Sequence, residues 1–115
     1  MQRLDLDLLH TLVTIADTGS LSGAAPLLCR SQSAVSEQVR KLELICGQPL
    51  LIRGKTGARL TPAGDQLLAH ARQMLALDAR AYQDMQGLQL AGDLRLAITD
   101  YFKPSSITMV LRRLK

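Results

Sequence analysis

Aromatic residues make up only 3% of this 115-residue chain, which has two tyrosines, one phenylalanine and no tryptophan. Any core must therefore be packed from aliphatic side chains. No uninterrupted apolar run approaches the roughly 18 residues that a membrane helix needs, and "MQRLDLDLLH" carries acidic residues where a secretory signal would have its apolar stretch. No membrane association is expected, and a cytoplasmic location is. Only two cysteines occur, Cys29 and Cys46, each in a helix-like apolar pattern and without a Cys/His cluster nearby. Neither a zinc site nor a disulfide framework is indicated, and both read as reduced core or near-core thiols. Catalytic constellations are missing too. His10 and His70 are isolated, and there are no paired carboxylates, no phosphate loop and no nucleophile motif, so the chain is not expected to be an enzyme or to carry a cofactor or metal.

Hydrophobic residues are plentiful, at 47%, enough for one small domain with an appendage. The formal charge is +4 and it is local. Between Arg30 and Thr61 stand Arg30, Arg40, Lys41, Arg53, Lys55 and Arg59 against only Glu37 and Glu43, so this stretch holds the whole excess. A basic patch of that kind favours a polyanionic partner.

The chain reads as mainly α. Residues 5–17 place Leu8, Leu9, Leu12 and Val13 on one side of a helix that Gly19 ends. "SLSGAAPLLC" follows as a short helix capped by Ser20, with Leu21, Ala24, Ala25 and Leu28 inward and Pro26 kinking it or confining its regular bonding to the ends. Ser31 caps a third helix that runs to about Cys46 and stops at Gly47, with Val35, Val39 and Leu42 as its apolar stripe. Three short helices with tight turns form a helix-turn-helix core. Leu51–Arg53 and Ala58–Leu60 flank "GKTG" as a small hairpin, or wing, with a plain loop as the alternative. "TPAG" opens a long helix with Thr as cap and Pro at its first position. Its apolar positions, Leu67, Ala71, Met74, Leu75, Tyr82 and Met85 among them, continue to Gly92. That length exceeds what a core of this size can cover, so the stripe is read as a dimer seam, the alternative being domain core. Leu94, Leu96 and Ile98 alternate like a strand, and Ile107, Val110, Leu111 and Leu114 follow on an amphipathic helix after Pro104. These last elements read as the start of a second domain.

"TGSLSGAA", "SQSAVSEQVRKLE", the spacing G-x-x-L-x-x-R from Gly47 to Arg53, and "LTPAG" occur in an order that closely resembles the N-terminal DNA-binding domain of LysR-type transcriptional regulators. The resemblance covers residues 4 to about 90. It implies a winged helix-turn-helix at 1–61, a linker helix at 62–91 that pairs two subunits, and the beginning of a truncated effector-binding domain at 92–115. Leu12, Leu21 and Leu51 stand where the family often has phenylalanine, Thr56 where the wing often has a second arginine, and Glu37 where arginine is frequent.

On this reading the third helix enters the major groove, where each base pair shows its own pattern of donors and acceptors. Ser31, Gln32, Ser33 and Ser36 form a small polar tip that lets the backbone approach, with Gln32 suited to an adenine edge. Arg40 reaches a phosphate or guanine, and Glu37 selects against wrong sequences or pairs with Arg40 or Lys41. Arg53, helped by Lys55 and Arg59, holds the flanking backbone or minor groove. The expected partners are double-stranded operator DNA and a second copy of the chain. Tetramers and a small-molecule effector would require the missing domain. A competing reading makes the chain a dimerisation module that forms mixed dimers with a full-length subunit.

Overall fold

The computed structural model describes residues 3–54 and 57–101, with residue 91 and residues 93–101 described by backbone alone. In chain order the elements are α1 (Leu6–Thr18), α2 (Leu21–Leu27), α3 (Gln32–Cys46), β1 (Leu51–Gly54), β2 (Gly57–Leu60) and α4 (Pro62–Tyr101). Two compact units divide the chain, Met1–Ala76 and Leu77–Lys115.

Caps account for most of the boundaries. Asp5 accepts the Asp7 amide at 2.8 Å, Ser20 the Gly23 amide at 2.9 Å, and Ser31 the Ala34 amide at 3.2 Å, each satisfying a donor that a helix start leaves open. Gly19 and Gly47 close α1 and α3 at φ 78° and 68°, in the left-handed region. Cys29 also adopts a positive φ, 54°, just beyond α2, and its side chain is exposed. The core reading of Cys29 is thus corrected: the turn ending α2 swings it outward. Cys46 is half-buried, and burial pushes its thiol pKa up. Pro26 sits one residue before the end of α2, where its missing amide removes the ladder bond to the Ser22 carbonyl, while Leu28 still donates to the Ala24 carbonyl.

The first unit buries two aliphatic clusters. Leu8, Leu9 and Leu12 of α1 meet Leu42, Leu50 and Ala71 in one, while Ile15 meets Leu21, Ala24, Ala25, Val35 and Val39 in the other. The α3 stripe thus serves both, which fixes the helix's roll and decides which face is left outside. Leu12 and Leu21 are buried and Leu51 is half-buried, so aliphatic side chains fill these sites.

Polar ties hold the elements in register. The Glu43 carboxylate accepts the Leu50 amide at 2.7 Å, joining α3 to the hairpin. Thr61 caps α4 by accepting the Gly64 amide at 3.0 Å and donates to the Pro49 carbonyl at 2.7 Å. Gly64 lies against Leu50, and a Cβ there would collide with the Leu50 carbonyl oxygen, so the glycine of "TPAG" is a close-packing requirement. Arg72 donates to Asp17 at 2.6 Å, tying α4 to α1 across the surface.

β1 and β2 pair antiparallel with Leu51 opposite Leu60 and Arg53 opposite Ala58, the wing expected at this place. The end of α4 departs from expectation. The helix runs through Gly92 to Tyr101, 40 residues in all, and takes in Leu94, Leu96 and Ile98, which alternate like a strand. An isolated strand leaves its backbone N–H and C=O groups without partners, whereas a helix satisfies them within the segment, so local bonding prevails over the period-two pattern. One internal glycine costs only about 1 kcal/mol against this. Pro104, Ile107, Val110, Leu111 and Leu114 lie outside the described residues.

Candidate nucleic-acid interface

Because Val35, Val39 and Leu42 point into the core, the opposite side of α3 is committed to solvent. Ser31, Gln32, Ser33, Glu37, Arg40 and Lys41 are exposed there, and Ser36 is half-buried on the flank. Gln32 is the first residue of α3, so its side chain stands at the positive end of the helix beside amides with no partner inside the helix. Ser31 and Ser33 lie with their hydroxyls 3.3 Å apart, keeping this end small. One turn further on, an Arg40 guanidinium nitrogen donates to the Glu37 carboxylate at 3.1 Å. Of the two pairings expected for Glu37, the structure forms the one with Arg40.

Gln32 and Arg53 line one open concavity of about 470 Å³, which the start of α2 completes with Ser20 and Ser22 and the hairpin with Gly54 and Gly57. The start of α3 and the hairpin thus share a surface, although 20 residues of chain separate Gln32 from Arg53. Arg53 and Arg59 are exposed on the hairpin. Lys55 lies outside the described residues. Ser20, the cap of α2, and Ser22 carry no signal in the sequence for this place, since only the fold brings them beside Arg53 and Gln32.

The positions expected on a dimer seam divide. Ala71 is wholly buried in the first unit's own core, and Leu67 and Met74 pack against it. Leu75 is half-buried. Tyr82 and Met85 are 67% and 58% exposed, and Leu77 and Leu88 join them on the outside. For the first turns of α4 the stripe serves as domain core, as the alternative reading has it, because "TPAG" brings those turns down onto Leu50.

Among the described residues no group of three or more His, Cys, Asp or Glu could hold a metal ion, and no helix is long and apolar enough to cross a membrane.

A three-helix core with an exposed polar third helix and a two-stranded wing beside it defines a winged helix-turn-helix protein. The family described as "Bacterial regulatory helix-turn-helix protein, lysR family" matches residues 6–65, and the chain belongs to that family. It is 38% identical over 110 residues to the HTH-type transcriptional regulator DgdR of Burkholderia cepacia, covering 96% of this chain and 37% of that protein. The chain therefore spans little more than a third of that relative's length. Its fold is similar to the crystal structure of the CbnR DBD–DNA complex, with a TM-score of 0.71 and 30% identity over 75% of this chain and 99% of that one. It is also similar to full-length LysG from Corynebacterium glutamicum, with a TM-score of 0.70 and 38% identity over 78% of this chain and 31% of that one.

Proposed function

We propose that this chain is the DNA-binding end of a LysR-type transcriptional regulator, and that it binds operator DNA as a dimer with α3 in the major groove and the wing on the backbone or minor groove. The observation that carries the proposal is the shared concavity of Gln32 and Arg53, which sets an amide suited to a base edge beside a cation suited to phosphate. Gln32 reads an adenine, with Ser33 and Ser36 as weaker base contacts and Ser31 keeping the tip capped and small. Arg40 reaches a phosphate or a guanine. Glu37 orients that guanidinium, and its carboxylate next to phosphates disfavours sequences that give it no donor. Arg53, Lys55 and Arg59 hold the flanking backbone.

Leu75, Tyr82 and Met85 form the seam between two copies, and Leu67, Ala71 and Met74 support it from the core side. Burying exposed side chains of this size is worth roughly 1.5–3 kcal/mol each, which supplies the driving force. The segment 92–115 belongs to the beginning of an effector-binding domain. The role is binding and regulation rather than catalysis, and it is exercised in the cytoplasm, where bacterial DNA lies.

The test is selection of bound duplexes from a random pool by the chain. Enriched sequences with two symmetric half-sites at fixed spacing are the expected result, because a two-fold dimer imposes two-fold symmetry on its site. Enrichment of single asymmetric sites, or none, would contradict the proposal.

A further inference from the structure

The wing is a two-stranded hairpin on the surface, and such a hairpin is at best marginally stable by itself. Something outside it must hold it at a set distance from α3. Leu51 and Leu60 pack its base against the core and Glu43 ties its start to α3, and a further contact, nearer its tip, lies at the turn between α1 and α2. The Ala58 amide faces away from β1 and donates to the Gly19 carbonyl at 3.0 Å. Beside it, Gly57 has φ 131°, a conformation that side chains rarely adopt, and a Cβ there would stand 2.5 Å from the same Gly19 oxygen. Both restrictions remove every residue but glycine. Gly19 in turn is fixed as the cap of α1 by its amide bond to the Ile15 carbonyl at 2.8 Å. The chain of contacts thus runs from the core, through Gly19, to the strand paired with Arg53.

We propose that Gly57 is a positioning residue for DNA binding: its lack of a side chain lets β2 seat on the Gly19 carbonyl, and this seat sets the span between Arg53 and Gln32 so that both engage the same half-site. The inference rests on the DNA-binding reading above and adds a residue and a contact that neither touches a base nor carries charge. A Cβ at position 57 pushes the hairpin off the turn, widens the concavity and withdraws Arg53 from the backbone it would hold. Gly57 itself belongs to neither buried cluster, while its neighbour Ala58 packs against the second.

The experiment compares wild-type chain, Gly57→Ala, Arg53→Ala and the double variant, each bound to the duplex enriched from the random pool, over a salt series. Gly57→Ala is expected to weaken binding about tenfold and to flatten the log affinity against log salt slope by about one unit, the signature of one lost phosphate contact. In the Arg53→Ala background it should then have little further effect, because both changes remove the same contact. Ala58→Pro, which replaces the amide that bonds Gly19 with ring carbons against the same carbonyl and keeps the donors of the hairpin ladder, should reproduce the loss, and a melting curve for each variant separates a displaced wing from an unfolded chain. Wild-type affinity in both variants, or losses that simply add to those of Arg53→Ala with the slope unchanged, would overturn the positioning role while leaving DNA binding standing. Salt-independent or absent binding by the wild-type chain would instead overturn the DNA-binding reading, and this inference with it.

Discussion

The leucines of the first unit are buried or half-buried, Leu27 and Leu44 excepted, whereas Leu77 and Leu88 of the second are exposed. In the first, Leu9, Leu12, Leu42 and Leu50 lie almost wholly out of solvent, and their burial satisfies α1, α3 and the start of α4 within one chain. Beyond Ala76, Leu77, Tyr82, Met85 and Leu88 are more than half exposed. Composition does not separate these regions; connectivity does. Short helices linked by tight turns fold back on one another, whereas a long unbroken helix offers its own residues nothing to pack against. The first unit therefore buries most of its large apolar side chains at least in part, with Leu27, Leu44 and Ile52 left exposed, while the second leaves Leu77, Tyr82, Met85 and Leu88 exposed; on the proposed function the first faces a polyanion and the second a partner chain.

The largest effect should come from breaking the second region. Tyr82→Glu with Met85→Glu is expected to dissociate dimers, at a cost of about 1.5–3 kcal/mol for each side chain no longer buried, with the melting of the first unit unchanged. Sedimentation velocity checks the mass. Next is Leu42→Ala, which empties a site 1% exposed where α3 meets α1. It should lower stability by about 2–5 kcal/mol in urea unfolding, and a neutral result would mean that the core is not where α3 is anchored. Gln32→Ala comes third. It should reduce operator affinity by roughly 1–3 kcal/mol and leave random DNA almost unaffected, so equal losses on both would remove Gln32 from base reading.

The smallest effect belongs to the Asp17–Arg72 pair. The Arg72 hydrogen bond holds the Asp17 carboxyl below its ordinary value, with some loss of hydration opposing it and direct charge attraction adding to it. A carboxyl lowered in the folded state stabilises fully above its ordinary pKa, and the contribution fades as pH falls through the lowered value. Arg72→Ala should thus cost a little melting temperature at neutral pH and nothing at strongly acid pH. Added salt should shrink the neutral-pH difference, because both side chains are half exposed.

Local chemistry made most of the first unit legible. Ser20, Ser31, Gly19 and Gly47 mark helix ends through hydrogen bonds and backbone angles that depend on only a few neighbours, and the "GKTG" hairpin is equally local. What escaped is long-range. Nothing in "RKLE" signals that Glu43 reaches the Leu50 amide seven residues on, nor does the spacing of Ala71 distinguish a core position from a seam. The same limit hid the meeting of Gln32 with Arg53 in one concavity, though each was recognisable by itself as a candidate contact. At the far end of α4 the error has another source. A period-two pattern indicates a strand only where another strand pairs with it, and at residues 94–98 the backbone satisfies itself as helix instead.

The contrast between the units can be measured directly by titrating salt against DNA affinity and dimer dissociation in the same samples. Binding that neutralises several phosphates predicts a steep linear fall of log affinity with log salt, and an apolar seam predicts a dimer constant that barely moves. A DNA affinity indifferent to salt, or a dimer that dissociates in step with it, would contradict the assignment of the first unit to nucleic acid and the second to the partner chain.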